Sequence, residues 1–301
     1  MKLQQFRGSG VALVTPFRNG QIDFPALAQV IEHVLEGGVD FLVSLGTTGE
    51  AVTLSAKEMR EVLDFTIKIN AGRKPIVAGC FGGNDTRSLV ELIRQFDFDG
   101  IDVIMSASPS YNKPTQEGIY QHFMKIAEAA PLPVIMYNVP GRTASNMEAS
   151  TILRLAHAGG NRFLAVKEAS ADMVQGQEIL KDRPDGFLVL SGDDPTALPL
   201  IGCGADGGIS VIANALPGVF SEMVHQSLQN NWPEARDLAF RMHHLHPPLY
   251  AEGNPAGVKG ALELLGICSR EVRLPLTPLS DSGMQKLQVE LEKTGLLHKA
   301  S

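Results

Sequence analysis

Cysteine and net positive charge are both scarce in this chain of 301 residues, and each scarcity closes off a class of protein. The three cysteines, Cys80, Cys203 and Cys268, are far apart, odd in number and form no Cys-x-x-Cys pair, which excludes a disulfide framework and a cysteine zinc site. They read as reduced thiols in or near the core. With 33 acidic against 26 basic side chains the net charge is −7, and no Lys/Arg-rich stripe offsets it, so general affinity for nucleic acid is not expected. Apolar runs long enough to span a bilayer are absent, and so is any membrane role they would imply. The opening Met1-Lys-Leu-Gln-Gln-Phe-Arg-Gly8 lacks the hydrophobic segment and cleavage site of a secretory signal, and a cytoplasmic location is the expectation.

What the chain does have is a recurring short apolar or β-branched run: Val11–Phe17, Phe41–Gly46, Pro75–Cys80, Asp102–Ser108, Pro133–Asn138, Phe163–Lys167, Phe187–Ser191 and Gly208–Ala213. Between most of these lie segments with helical spacing, such as Phe24-Leu27-Val30-Ile31-Val34-Leu35. Asp23 with Pro25 marks the start of the first helix, and Ser55 with Glu58 forms a capping box before the second. Strict alternation of about eight strands with helices predicts a parallel α/β fold closed as a (β/α)8 TIM barrel. Pro217–Gln229, Pro233–Leu245, Pro255–Leu265 and Ser280–Thr294 then read as helices, with His246-Pro-Pro248 and Leu274-Pro-Leu-Thr-Pro278 as turns. The expected division is a catalytic barrel over residues 1–220 and a C-terminal helical extension over residues 221–301.

Chemistry gathers where the predicted strands end. Lys167 closes Phe163-Leu-Ala-Val-Lys167, and a lysine with its stem among apolar walls loses hydration of the ammonium form, which favours a neutral amine able to attack a carbonyl. A solvated strand-end charge is the plainer reading of that residue alone. Thr47 and Thr48 follow another strand, and Tyr137 and Arg142 a third. Each has a structural alternative, helix capping in the case of the threonines. Together they supply an amine, a proton shuttle and carboxylate donors on one barrel face, the set needed for imine-dependent carbon–carbon bond formation. Glu50 and Glu168 flank them; a general-base role and structural hydrogen bonds to backbone amides are both open, and catalysis is assigned to neither.

Three other patterns point elsewhere and carry less. Gly202-Cys-Gly-Ala-Asp-Gly207 has dinucleotide-site spacing but precedes a strand instead of joining strand to helix. Phe81-Gly-Gly-Asn-Asp-Thr86 lacks the lysine of a phosphate loop and reads as a turn with an Asp or Thr cap. His243, His244 and His246 have no ligand partner at metal-site spacing, so no metal is expected.

Gly46-Thr-Thr-Gly-Glu50, Ser108-Pro-Ser-Tyr-Asn-Lys-Pro114, Tyr137-Asn-Val-Pro-Gly-Arg-Thr143, Val166-Lys-Glu-Ala169, Ser191-Gly-Asp-Asp194, Gly208-Ile-Ser-Val211 and Asn254-Pro-Ala-Gly-Val-Lys259 resemble the dihydrodipicolinate synthase family, in register along nearly the whole chain. The resemblance implies condensation of pyruvate with L-aspartate 4-semialdehyde through a Schiff base on Lys167, without metal or organic cofactor. It further implies Tyr137 as general acid and base, Thr47 and Tyr111 as the rest of a hydroxyl relay, Thr48 for the pyruvate carboxylate, and Gly192 and Ile209 lining the pyruvate site. Arg142 would receive the aldehyde's carboxylate, which separates this reading from sialic acid or 2-keto-3-deoxy-sugar acid aldolases of the same superfamily. A non-catalytic metabolite-binding barrel is the alternative of another class. In the family, the residue matching Tyr111 enters a neighbouring subunit's site, so a homo-oligomer, a dimer of dimers, is implied. Ala56, Met59, Ser88 and Ser110 stand where lysine-sensitive relatives carry ligand-binding groups, which implies weak or absent inhibition by lysine.

Overall fold

In the computed structural model, which describes residues 3–295, eight parallel strands close into a barrel in sequential order. They are β1 (Gly8–Ala12), β2 (Phe41–Ser44), β3 (Ile76–Ala78), β4 (Val103–Ala107), β5 (Val134–Asn138), β6 (Phe163–Glu168), β7 (Leu188–Ser191) and β8 (Gly207–Ser210). Pairing of Gly8 with Gly207 and of Gly10 with Phe41 closes the ring through β1. Helices α1 (Phe24–Glu36), α2 (Ala56–Asn70), α3 (Thr86–Gln95), α4 (Gln116–Ala129), α5 (Ala149–Gly159), α6 (Met173–Asp182), α7 (Asp194–Gly202) and α8 (Pro217–Leu228) follow the strands in turn. The (β/α)8 expectation is met.

Local chemistry sets the helix starts. Asp23 accepts from the Ala26 amide at 3.1 Å, Ser55 and Glu58 form the expected capping box, and Asp85 accepts from the Arg87 and Ser88 amides. Because strand side chains alternate, the barrel carries two cores. Phe41, Val43, Val77, Met105, Ile135 and Leu190 fill the interior. Leu42, Ile104, Met136, Val166 and Val189 face outward onto apolar residues of the helices, including Val30, Leu63, Phe123, Ile152 and Phe220.

Beyond the barrel lie α9 (Trp232–His243), α10 (His246–Tyr250), α11 (Ala256–Leu264) and α12 (Asp281–Glu292). The segment read as a turn at His246-Pro-Pro248 is thus a short helix, because prolines in a first turn have φ already set and stand where no intrahelical amide bond is made. The first strand lies at Gly8–Ala12, earlier than the Val11–Phe17 run suggested. Cys268 is buried, Cys80 partly so, and burial pushes their thiols up to about 12 and about 11; Cys203, expected near the core, is exposed at the end of α7. The residue 220 boundary falls inside α8. No described helix is long and apolar enough to cross a membrane.

Candidate active site

Strands β5 and β6 pair in register, Tyr137 opposite Lys167 and Asn138 opposite Glu168. Period-two alternation therefore turns Tyr137 and Lys167 inward together at the C-terminal mouth of the barrel. Lys167 is 5% exposed, and its Nζ lies 4.3 Å from the centroid of the Tyr137 ring. Gly192, just after β7, makes room for the amine's stem: a Cβ there would stand 2.9 Å from Lys167 Cγ and 3.0 Å from its Cε. The Gly192 amide donates to the Glu168 carbonyl at 2.7 Å, which fixes that close approach.

The Thr47-Thr48 turn after β2 is held by amide donation from Gly49 to Gly46 O and from Glu50 to Thr47 O, with Glu50 in the left-handed region at φ 54°. Thr48 is 2% exposed, and its Oγ1 accepts from Asn254 Nδ2 at 3.0 Å. With a lone pair so occupied, the hydroxyl proton is directed elsewhere and is available to an anionic ligand. Thr47 and Tyr137 share the lining of one cavity of about 540 Å³ with Met105, Ser108 and Thr143. Neither threonine caps a helix; Ser55 does that work for α2.

Ile209 is buried in β8. Arg142 lies in a helical turn, Pro140–Thr143, and is exposed. Tyr111 is 90% exposed in the left-handed region at φ 68°, and its amide donates to Thr143 O at 3.0 Å. A single chain thus brings Lys167 against Tyr137 and against Gly192, and Thr47 into the same cavity as Tyr137. It leaves Arg142 and Tyr111 facing solvent, and among the described residues no hydrogen bond joins the hydroxyls of Thr47, Tyr111 and Tyr137.

Sequence reasoning assigned no role to the residues that brace these loops from the C-terminal side. Asn254 reaches Thr48, and Lys259 Nζ in α11 reaches Glu50 Oε1 at 2.5 Å. Tyr250 donates to Asp194 Oδ2 at 2.7 Å, and the same oxygen accepts from the Ile212 amide at 2.8 Å beyond β8. Burial, then the Asp194 charge, holds the Tyr250 phenol well above its usual range. A lysine in the otherwise small and apolar face of Ala256–Leu264 was the available sign. Among the described residues no group of histidine, cysteine and carboxylate side chains is arranged to hold a metal ion.

Comparison with known proteins agrees with this geometry. The sequence pattern of the dihydrodipicolinate synthetase family matches residues 5–294. The chain belongs to that family. It is 45% identical over 287 residues to the 4-hydroxy-tetrahydrodipicolinate synthase of Cytophaga hutchinsonii, covering 95% of this chain and 96% of the relative. Among solved structures, the dihydrodipicolinate synthase of Aquifex aeolicus is 40% identical with a TM-score of 0.93, covering 98% of this chain and 100% of that one. The chloride-inhibited enzyme of Acinetobacter baumannii, solved in complex with pyruvate, is 40% identical with a TM-score of 0.92, covering 97% of this chain and 99% of that one. As a dihydrodipicolinate synthetase family member the protein is an enzyme of the synthase and lyase type on a TIM barrel, as the motifs implied.

Proposed function

We propose that the protein is a 4-hydroxy-tetrahydrodipicolinate synthase of lysine and diaminopimelate biosynthesis, joining pyruvate to L-aspartate 4-semialdehyde through an imine on Lys167. The observation that carries this reading is the buried amine of Lys167 held against Tyr137 at the barrel mouth. Lys167 attacks the ketone of pyruvate, and loss of water gives the imine. Removal of a methyl proton gives the enamine, which adds to the aldehyde carbon; the semialdehyde's own amine then closes the ring and releases Lys167. Tyr137 serves as acid and base for these proton movements, with Thr47 and Tyr111 carrying protons onward. Thr48 donates to the pyruvate carboxylate, Gly192 and Ile209 line that substrate through their backbone, and Arg142 pairs with the carboxylate of the aldehyde, a task suited to a planar guanidinium fork. The chemistry requires no metal or organic cofactor. We assign it to the barrel expected over residues 1–220, which α8 carries on to Leu228, with the helices from Trp232 onward as the extension, in a cytoplasmic enzyme.

Exposure of Tyr111, together with a left-handed backbone that a tyrosine rarely adopts, supports its acting in a second subunit, within a homodimer that pairs again as a dimer of dimers. The test is turnover of pyruvate and aspartate semialdehyde, coupled to an excess of the following reductase, beside a Lys167→Ala control. Turnover that disappears in K167A is expected. Protein that borohydride traps with pyruvate at Lys167 yet does not turn over would keep the imine and reject the aldehyde.

A further inference from the structure

Glu168 is a buried carboxylate, 4% exposed, that the reaction sequence above does not use. It follows Lys167 on β6 and so points outward, away from the substrate side, which excludes it as a general base at the imine carbon. Among the described residues no cation lies within ion-pair distance of it. Three neutral donors surround it instead. The Ser170 amide donates to Oε1 at 2.7 Å, and Gln175 Nε2 of α6 donates to Oε2 at 3.0 Å. Asn138 Nδ2 donates to both oxygens, at 3.2 and 3.0 Å. Asn138 in turn accepts from the Met147 amide through Oδ1, and Asn146 links it to Gln175.

Asn138 and Glu168 are register partners, and the pair immediately before them is Tyr137 and Lys167. The outward pair therefore pins the same two strand ends that present the inward pair. We propose that Glu168 is a positioning residue: its carboxylate, shared between Asn138, Gln175 and the Ser170 amide, locks the β5 and β6 ends together and so holds the Lys167 amine against the Tyr137 ring. This rests on the reading of Lys167 as the imine-forming amine. A carboxylate suits the place because it offers two acceptor oxygens and all its contacts are donors.

Glu168→Gln keeps the shape but turns an NH₂ toward at least one of those donors, forcing Asn138 or Gln175 to move. The expected result is a fall of about tenfold in kcat and in the rate of borohydride trapping with pyruvate, because small misplacements of reacting groups are costly in rate. KM for pyruvate should change by less than about twofold, since the Thr48 turn belongs to a different loop. Placing the carboxylate on the opposite strand, in N138D/E168Q, should restore most of the loss. A bulk structural role would lower thermal stability without this split in kcat and KM and without rescue. Unchanged kcat in E168Q, or folded E168Q and N138D/E168Q proteins that are equally impaired, would overturn the proposal. Should E168Q not fold, Gln175→Leu removes one of the donors to Glu168, together with the link to Asn146, and is expected to cost about threefold in kcat; no loss there overturns it equally. Pyruvate trapping that persists in K167A would instead overturn the imine reading on which the proposal stands.

Discussion

The ammonium of Lys259 and the carboxylate of Glu50 meet at 2.5 Å with both side chains buried, joining α11 of the helical extension to the turn that carries Thr47 and Thr48. The ammonium also donates to Glu271 O at 2.8 Å and stands 4.2 Å from the centroid of the Phe17 ring, while Glu50 Oε2 accepts from the Arg273 amide. Burial pulls the Lys259 pKa down, and the Glu50 charge works against that. The extension thus helps set the shape of a loop that faces the reaction.

Removing one member should therefore leave an uncompensated buried charge. Lys259→Met is expected to cost roughly 3–5 kcal/mol in unfolding free energy. E50Q/K259M, with no charge left to compensate, should recover part of that. Denaturant unfolding checks both, and a K259M protein as stable as the parent would refute the account.

Acid stability should depend on His122. Its ring is buried, Nδ1 lies 2.7 Å from Thr86 Oγ1, Nε2 has no hydrogen-bond partner among the described residues, and burial lowers its pKa to about 4. The unfolded chain takes up that proton near the ordinary value of about 6.5, so stability is lost as the pH falls from there toward about 4. The loss across that range amounts to about 3 kcal/mol. His225 acts in the opposite sense: its bond to Asp40 raises its pKa, so its stabilisation is complete below the unfolded value and fades as pH rises through the folded one. His122→Gln should flatten the acid limb in urea titrations at several pH values, and an unchanged limb would show that another group controls it.

The barrel was legible in the sequence because strands buried on both faces read as short apolar runs between amphipathic helices. The start of the first strand escaped because Gly8-Ser9-Gly10 has no β-forming side chains; a Cβ on Gly10 would stand 2.3 Å from the Phe41 ring that plugs the barrel floor. Lys167, Tyr137 and Thr47 were legible because strand ends collect chemistry on one face. Asn138, Gln175, Asn254 and Lys259 were not, since each acts through a partner on another element, Thr48 and Asn254 lying 206 positions apart. Local pattern carries no information about such pairings.

Lysine should inhibit weakly or not at all. Met59 and Ser110 line the 540 Å³ cavity together with Val52, Leu54, Cys80, Asn84 and Leu92, and among the described residues none of the lining carries a carboxylate to pair with an ammonium. Ser88 is engaged with Asp85 through its hydroxyl. Initial rates at subsaturating pyruvate are expected to stay unchanged in millimolar lysine, and strong inhibition at micromolar levels would contradict this.

Whether Tyr111 is shared between subunits, as proposed, can be read from two variants that are each expected to be inactive. Tyr111→Phe retains Lys167 but cannot supply the relay hydroxyl to its neighbour, whereas K167A supplies the hydroxyl but lacks the amine. In a mixed dimer, the Y111F subunit keeps its own Lys167 and receives the partner subunit's Tyr111, so one of the two sites is whole. Random pairing makes half the dimers mixed, and co-expressed variants should show about a quarter of parental activity. If Tyr111 served its own site, every site would lack one group and the mixture would be no more active than the separate variants. The 90% exposure of Tyr111 on the single chain favours the first outcome, because a relay hydroxyl has no use in solvent.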